Sequence, residues 1–167
     1  MKDFNNLLTG DDLRSLGNSS EIISKITDQK TFDKLFKYLF NNNRATVMKT
    51  IDVIEKVTLE NNEFLQKHKV EIINLSNDTE NIELKWHLAQ LLGRLEYTNI
   101  EIKNVWGILK KWTIDETESK IVRVNSLETL YGITKLKKIY SNEFDEIIKN
   151  IKKENIPSIN ARIKKLK

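Results

Sequence analysis

The residue types that could do chemistry are thinly spread in this chain, and none of them forms a familiar catalytic or metal-binding pattern. The two histidines, His68 and His87, lack the His, Asp or Glu spacing typical of a zinc site. The chain has no cysteine, which excludes thiol nucleophiles, thiolate metal sites and disulfides. Its five glycines are scattered rather than gathered in a phosphate-binding loop. We therefore expect a protein that is not an enzyme, has no catalytic residue and binds neither a metal nor a cofactor.

A different set of polar residues recurs at matching positions of three similar segments. If each segment is a helix, these side chains share the face opposite the apolar residues and form one polar strip. Repeated helical pairs bind partners along such surfaces, although a solvent-facing helix column is polar in any protein. The predicted partner-binding residues are Lys49, Asp52, Lys56, His87, Gln90, Arg94, Asn125 and Glu128.

The three segments that carry this strip are Thr46–Val57, Leu84–Leu95 and Val122–Ile133, and each start follows the previous one by 38 residues. Within each segment apolar residues recur at steps of three or four positions, the pattern of an amphipathic helix. A fixed period of this length is typical of stacked helical hairpins. With one proline and five glycines, the chain also lacks the turns that all-β folds need. We therefore predict an all-α fold.

Each segment is the second helix of a predicted pair. The first helices are predicted over Thr31–Phe40, Asn62–Leu75, Asn99–Trp112 and Ser141–Ile151, and their first residues are N-cap candidates. The final second helix is predicted over Pro157–Leu166, where proline fits the first turn. In the N-terminal part, Ser19 or Ser20 is expected to cap a short helix.

These helices predict one domain over residues 1–167. It begins with an irregular N-terminal cap over 1–30, and its repeat units cover 31–59, 62–96, 99–134 and 141–167. Stacked repeats need capping units at their ends, and the irregular first segment and the short, lysine-rich last unit suit that role.

The repeated segments resemble HEAT repeats, in the short bacterial form related to phycobilisome-lyase-like repeats. The resemblance lies in Leu84-Lys85, Ala89 and Leu91-Leu92-Gly93-Arg94-Leu95 of the second segment, and in Val122-Arg123, Leu127 and Leu130 of the third. It implies a right-handed α–α superhelix of about four to five helical hairpins. It also implies a scaffold that binds another protein on the concave face formed by the second helices.

Five large or charged residues in these helices are expected to be structural. Lys85 and Arg123 occupy matching positions next to the apolar stripe, where a long basic side chain covers apolar surface while its charged end reaches water or a neighbouring carboxylate. Trp86, Trp106 and Trp112 could stack on a nucleic-acid base or anchor a partner. Their helical spacing favours the core instead.

The uneven charge supports a second hypothesis. The chain carries a net charge of +4, but residues 134–167 hold 10 Lys/Arg against 4 Asp/Glu, a net charge of +6. Such a basic end favours nucleic acid as a possible partner, but it also suits a soluble terminal cap. The residues concerned are Lys149, Lys152, Lys153, Arg162, Lys164 and Lys165. A third and weaker reading is an enzyme of the HEAT-like DNA alkylation-repair type, for which Trp86 and Asp52 are loosely suggestive.

The composition also bears on location. The N-terminus has no long apolar stretch before a small-residue cleavage site, and the chain has no apolar run long enough to span a bilayer. We expect a cytoplasmic monomer that does not bind membranes.

Overall fold

A computed structural model describes residues 4–8 and 17–166, and all regular structure within those ranges is helical. The all-α prediction is confirmed to that extent, and no strand occurs in the described residues. The parts of the predicted N-terminal cap and last unit at residues 1–3, 9–16 and 167 lie outside them. The α-helices are α1 (Asn5–Leu8), α2 (Gly17–Ser24), α3 (Gln29–Phe36), α4 (Arg44–Val57), α5 (Lys69–Asp78), α6 (Ile82–Leu92), α7 (Asn99–Ile114), α8 (Lys120–Leu136), α9 (Ser141–Ile151) and α10 (Pro157–Lys165). Short 3₁₀ helices cover Lys37–Phe40, Asn62–His68, Lys138–Tyr140 and Lys152–Glu154.

The chain divides into two compact units, Met1–His68 and Lys69–Lys167. Unit 1 holds α1 to α4, and α1, α2 and α3 all contact α4. Ile51 and Ile54 of α4 are fully buried, as are Phe32 and Leu35 of α3. Apolar residues three apart share one face of a helix, so this spacing gives each of the two helices a continuous apolar side.

The 38-residue period is preserved in the helices themselves. The first residues of α4, α6 and α8 are numbered 44, 82 and 120, so 82 − 44 and 120 − 82 both equal 38. Each helix also has the same N-cap, in which Asn43, Asn81 or Ser119 accepts a backbone N–H three residues on, at 3.0, 3.0 and 3.3 Å. A side-chain oxygen at this position satisfies an N–H that the helix leaves unpaired. The repeat therefore includes the chemistry that starts each helix.

The first helices of the pairs depart from the predictions in unit 1. Asn62–Leu75 was expected to be one α-helix, but its first part, Asn62–His68, is a 3₁₀ helix that leads into α5. Leu65 and His68 are both buried, and a 3₁₀ helix aligns residues three apart because it has 3.0 residues per turn. Gln29 donates to a backbone carbonyl of this segment at 3.1 Å and holds it against α3. The predicted Thr31–Phe40 helix likewise becomes 3₁₀ after α3 ends.

Two helix starts differ from the predicted caps for one physical reason. The N-caps of α3 and α7 are Asp28 and Thr98, rather than Thr31 and Asn99. Both form a capping box, in which the side chain of the third helical residue accepts a hydrogen bond from the backbone N–H of the cap. Thr31 Oγ1 and Glu101 Oε2 are these acceptors. Thr31 therefore takes part in the cap from inside the helix.

Ser141 and Ser19 do not cap a helix as predicted. Ser141 is the first residue of α9, and Tyr140 at the cap position makes no side-chain capping bond. The 3₁₀ helix that ends at Tyr140 already brings the backbone into a helical turn. Ser19 lies inside α2, is buried and donates to the carboxylate of Asp52 at 3.5 Å.

Two carboxylates fix helix ends through several hydrogen bonds each. Burial raises the pKa of Asp33, but hydrogen bonds from Lys67, Gln29 and His68 outweigh it and lower the pKa to about 2. His68 Nε2 lies 2.7 Å from the Asp33 carboxylate. In unit 2, hydrogen bonds from Lys69 and from the backbone N–H of Thr98 lower the pKa of Glu101 to about 2.

These two pKa values predict how stability depends on pH. Both lie below the ordinary values of 3.8 and 4.5, so the folded protein favours the ionised forms. The two ionised carboxylates stabilise the fold fully at a pH above their ordinary pKa values. We expect the free energy of unfolding to decline as the pH falls from about 5 towards 2, because protonation removes this stabilisation. Urea denaturation over this pH range should show that the free energy of unfolding falls less steeply in the double variant Asp33→Asn, Glu101→Gln than in wild type. Equal declines for the two proteins would contradict the assignment.

In unit 2, α6 contacts α8 and α8 contacts α10, so the second helices form a row. Helix α5, the first helix of the pair that α6 completes, contacts both α6 and α7. Helix α7 packs along α8. Leu88, Leu109, Leu127 and Leu130 are fully buried in this core. The row places the matching faces of α6 and α8 beside each other.

Two buried cations connect successive second helices. Lys85 of α6 is 6% exposed and donates to Glu118, just before α8, at 2.8 Å. Arg123 of α8 is 1% exposed and donates to Glu154, before α10, at 2.8 Å and to the carbonyl of Thr113 at 2.9 Å. Each cation thus binds a carboxylate in the connection that leads to the next helix of the row. These bonds support the structural role predicted for both cations.

Candidate partner-binding cleft

A cleft of about 450 Å³ lies in unit 2 along the line where α6 meets α8. Its base is apolar, because Leu92, Leu95, Ile102 and Ile133 are each at least nine-tenths buried. Polar side chains from both helices and the connection after α6 complete the wall. The lining residues are Gln90, Leu92, Gly93, Arg94, Leu95, Tyr97, Ile102, Asn125, Glu128, Thr129, Gly132, Ile133 and Leu136.

Four of the eight predicted partner-binding residues meet at this cleft. Gln90 and Arg94 come from the end of α6 and the turn after it, while Asn125 and Glu128 come from α8. Gln90 and Glu128 occupy matching positions of the two segments, and both line the cleft. Amide and charged groups around an apolar base are the usual arrangement of a protein-binding surface.

The other four predicted residues lie elsewhere. His87 is 5% exposed and stacks on Trp86, with ring centroids 3.5 Å apart. His87 is buried because α6 packs against both α5 and α8, which leaves only a narrow face of α6 open to solvent. Lys49, Asp52 and Lys56 lie on α4 in unit 1, where Lys56 donates to Asp52 at 2.6 Å.

Small residues let α6 and α8 approach closely under the cleft. Thr129 of α8 donates its hydroxyl to the backbone carbonyl of Ala89 at 2.7 Å. A Cβ added to Gly93 would lie 3.2 Å from two side-chain atoms of Thr129, which is tighter than ordinary van der Waals contact. Gly93, directly after α6, thus leaves the space that the Thr129 side chain fills.

The ionisable groups of the cleft suit recognition. Burial, with a further contribution from Glu101, raises the pKa of Tyr97, so its phenol stays protonated and donates to the carbonyl of Leu92 at 2.7 Å. Glu128 is paired with Arg162 of α10. Arg94 completes the ionisable set of the lining. The cleft therefore offers hydrogen bonds and charge around an apolar base.

Sequence reasoning missed several residues of the cleft. The third segment was predicted to end at Ile133, but α8 continues for another turn to Leu136, which lines the cleft and is 82% exposed. Leu136 follows Ile133 by three positions, so the apolar spacing in the sequence already indicates that the helix continues to Leu136. Tyr97 follows α6, and its place in the wall depends on the tertiary fold. Gly132 is one of five scattered glycines, and its position in the sequence carries no signal of a cleft.

Gly132 gives a direct prediction for stability. It lies inside α8, and a Cβ added there would meet no atom within 4 Å, as is also true of Gly107 inside α7. Glycine inside a helix costs about 0.5–1 kcal/mol relative to alanine. We expect Gly132→Ala and Gly107→Ala each to raise the free energy of unfolding by that amount in urea denaturation. A loss of stability in either variant would show that the position is packed.

The residues of the alternative hypotheses occupy different places. Lys149, Lys152 and Lys153 are exposed at the end of α9 and just after it, and Lys164 and Lys165 are exposed on α10. Trp86 is half-buried, whereas Trp106 and Trp112 are buried in α7. Trp106 donates to Glu143 at 2.8 Å and stacks on Tyr140. The core role expected for these two tryptophans agrees with their burial.

The described residues contain neither a metal-binding cluster nor a membrane-spanning helix. Among the residues that the structure describes, no group of three His, Cys, Asp or Glu side chains is arranged to hold a metal ion. No helix within residues 4–8 and 17–166 has the length and apolar character needed to cross a bilayer. No protein-family model, curated protein or solved structure matches this chain. The geometry of the cleft is therefore the basis on which a function can be assigned.

Proposed function

We propose that this chain is a non-catalytic protein-interaction module and that it binds a partner protein on the face formed by α6 and α8. The observation that carries the proposal is the meeting of Gln90, Arg94, Asn125 and Glu128 around one cleft with an apolar base. A partner can bury apolar side chains there while its polar groups pair with the rim. Interfaces between proteins combine an apolar centre and a polar rim in this way.

The proposal includes a HEAT-like right-handed superhelix. Its support is the 38-residue period of α4, α6 and α8, their common N-cap, and the row formed by α6, α8 and α10 within unit 2. In such arrays each repeat packs only on its neighbours, and the second helices form an extended binding surface. A monomeric protein acting in the cytoplasm, without cofactor, remains the prediction that goes with this function.

Site-specific photocrosslinking tests the proposed surface. Because the chain has no cysteine, a single Asn125→Cys substitution can carry a benzophenone label at the cleft. Asn104→Cys provides the matched control, because Asn104 is exposed on α7 and does not line the cleft. In cell extract we expect protein adducts from the Asn125 label that the Asn104 label does not form. Identical adducts from both labels, or none from either, would refute the proposed surface.

Nucleic acid is the second candidate, and one observation favours it. Five lysines between positions 149 and 165 are exposed. Binding through phosphates releases counterions, so affinity would fall steeply between about 50 and 200 mM salt. A gel-shift assay with a DNA duplex at these two salt concentrations should show no retained complex if protein binding is the function. A salt-sensitive complex that disappears when Lys149, Lys152 and Lys153 become glutamine would favour nucleic acid instead.

A further inference from the structure

The end of α8 exposes apolar and basic side chains in alternation. Leu136 is 82% exposed and Ile139, in the 3₁₀ helix that follows, is 85% exposed. Lys135, Lys137 and Lys138 lie between and beside them, and all three are exposed. A single exposed leucine is ordinary, but Leu136 also lines the cleft, so its exposed side chain continues the apolar base outwards.

The charge at this end of the cleft is positive. Among the residues that line the cleft, the only carboxylate belongs to Glu128, and Arg162 already pairs with it. The three lysines add positive charge next to Leu136. A partner with carboxylates near its apolar residues would match this distribution.

The shape of the site distinguishes a peptide from a membrane surface. Basic and apolar residues in alternation also suit anionic lipid. A bilayer, however, presents a broad surface, whereas the cleft is a concave space of about 450 Å³ that the side chains of a protein segment can fill. Amphipathic helices bind in such grooves by inserting apolar residues spaced three or four positions apart.

We propose that the cleft binds an acidic amphipathic segment of a partner protein. Its apolar side chains enter the cleft beside Leu136, and its carboxylates pair with Lys135, Lys137 and Lys138. This inference rests on the proposed protein-binding function and specifies the chemistry of the partner.

The test uses the whole protein and a display library of random peptides of about twelve residues, long enough to form a short helix. We expect the enriched peptides to combine Asp or Glu with Leu, Ile, Phe or Trp. For synthetic copies measured by fluorescence anisotropy, Gly132→Trp should weaken binding at least about tenfold because the new side chain occupies the cleft. The triple variant Lys135→Gln, Lys137→Gln, Lys138→Gln should weaken it similarly.

Gly107→Trp is the matched control. Both glycines lie inside helices with open space at the Cβ position, but Gly107 is not part of this cleft, so its substitution should leave peptide affinity unchanged. Circular dichroism establishes that each variant is folded. If Gly132→Trp fails to fold, Leu136→Gln replaces it, because Leu136 is 82% exposed and contributes little to the core.

Every outcome decides the inference. No enrichment, enriched peptides without acidic residues, or affinity unaffected by the cleft variant would overturn it. Binding to phosphatidylserine vesicles that persists in Gly132→Trp, in the absence of peptide enrichment, would assign the surface to a membrane and also overturn it. If the display test fails while the Asn125 label still captures a protein, the inferred acidic segment of the partner is wrong and the proposed protein-binding function stands. If both fail, the proposed function fails as well.

Discussion

Replacing Arg123 by methionine is expected to lower the free energy of unfolding by about 3–5 kcal/mol, because it breaks a buried ion pair from one side. The side chain is 1% exposed and donates to the carbonyl of Thr113 and to the carboxylate of Glu154. Its loss leaves a buried carbonyl and a mostly buried carboxylate without these bonds. Urea denaturation measures the change, and the thermal midpoint should fall by roughly 10 °C.

Two further variants separate the ion pair from simple packing. The double variant Arg123→Met, Glu154→Gln removes the stranded charge and should recover part of the lost stability. Arg123→Lys keeps the charge but cannot supply two bonds in the fixed fork of a guanidinium, so it should remain well below wild type. An Arg123→Met protein within about 0.5 kcal/mol of wild type would contradict the structural role, because that is the usual range for surface changes.

Substituting leucine for Ala89 is expected to cost about 3 kcal/mol, at the upper end of the usual range for overpacking a core. Ala89 is fully buried, and its carbonyl accepts the Thr129 hydroxyl at 2.7 Å where α6 and α8 meet. A larger side chain must push the helices apart or displace Thr129. The change is measured by thermal and urea unfolding.

The control for this prediction is the equivalent position of the first segment. Ile51 matches Ala89 in the repeat and is also fully buried, so Ile51→Leu changes shape while conserving volume. It should cost less than about 1.5 kcal/mol. If Ala89→Leu lowers the free energy of unfolding no more than Ile51→Leu does, the packing of α6 against α8 does not require a small residue at position 89.

The repeated helices were predictable because their signal is local and is written more than once. The segments Thr46–Val57 and Val122–Ile133 lie within α4 and α8, whereas Leu84–Leu95 runs three residues past the end of α6 at Leu92. The three helices keep the predicted 38-residue spacing. The 3₁₀ segment Asn62–His68 was not predictable, because its geometry depends on the burial of Leu65 and His68 in unit 1. An apolar period of three or four residues fits an α-helix equally well, so tertiary contacts made the choice.

The periodic pattern accounts for some residues of the cleft and not for others. Gln90 and Asn125 sit at polar positions of the repeat, and adjacent repeats bring such positions together. His87 occupies a polar position too, but the helices around α6 bury it. Tyr97 and Leu136 enter the cleft from beyond the predicted segments. Their roles depend on where the chain goes after each helix ends, which periodicity does not encode.

The most direct test of a binding surface on α6 and α8 is an amide NMR titration of the isotope-labelled protein with a partner captured through Asn125. We expect the perturbed amides to cluster at Gln90, Asn125, Gly132 and Leu136, around the cleft. Perturbations confined to the exposed lysines from Lys149 onwards, with the cleft amides unchanged, would contradict the account.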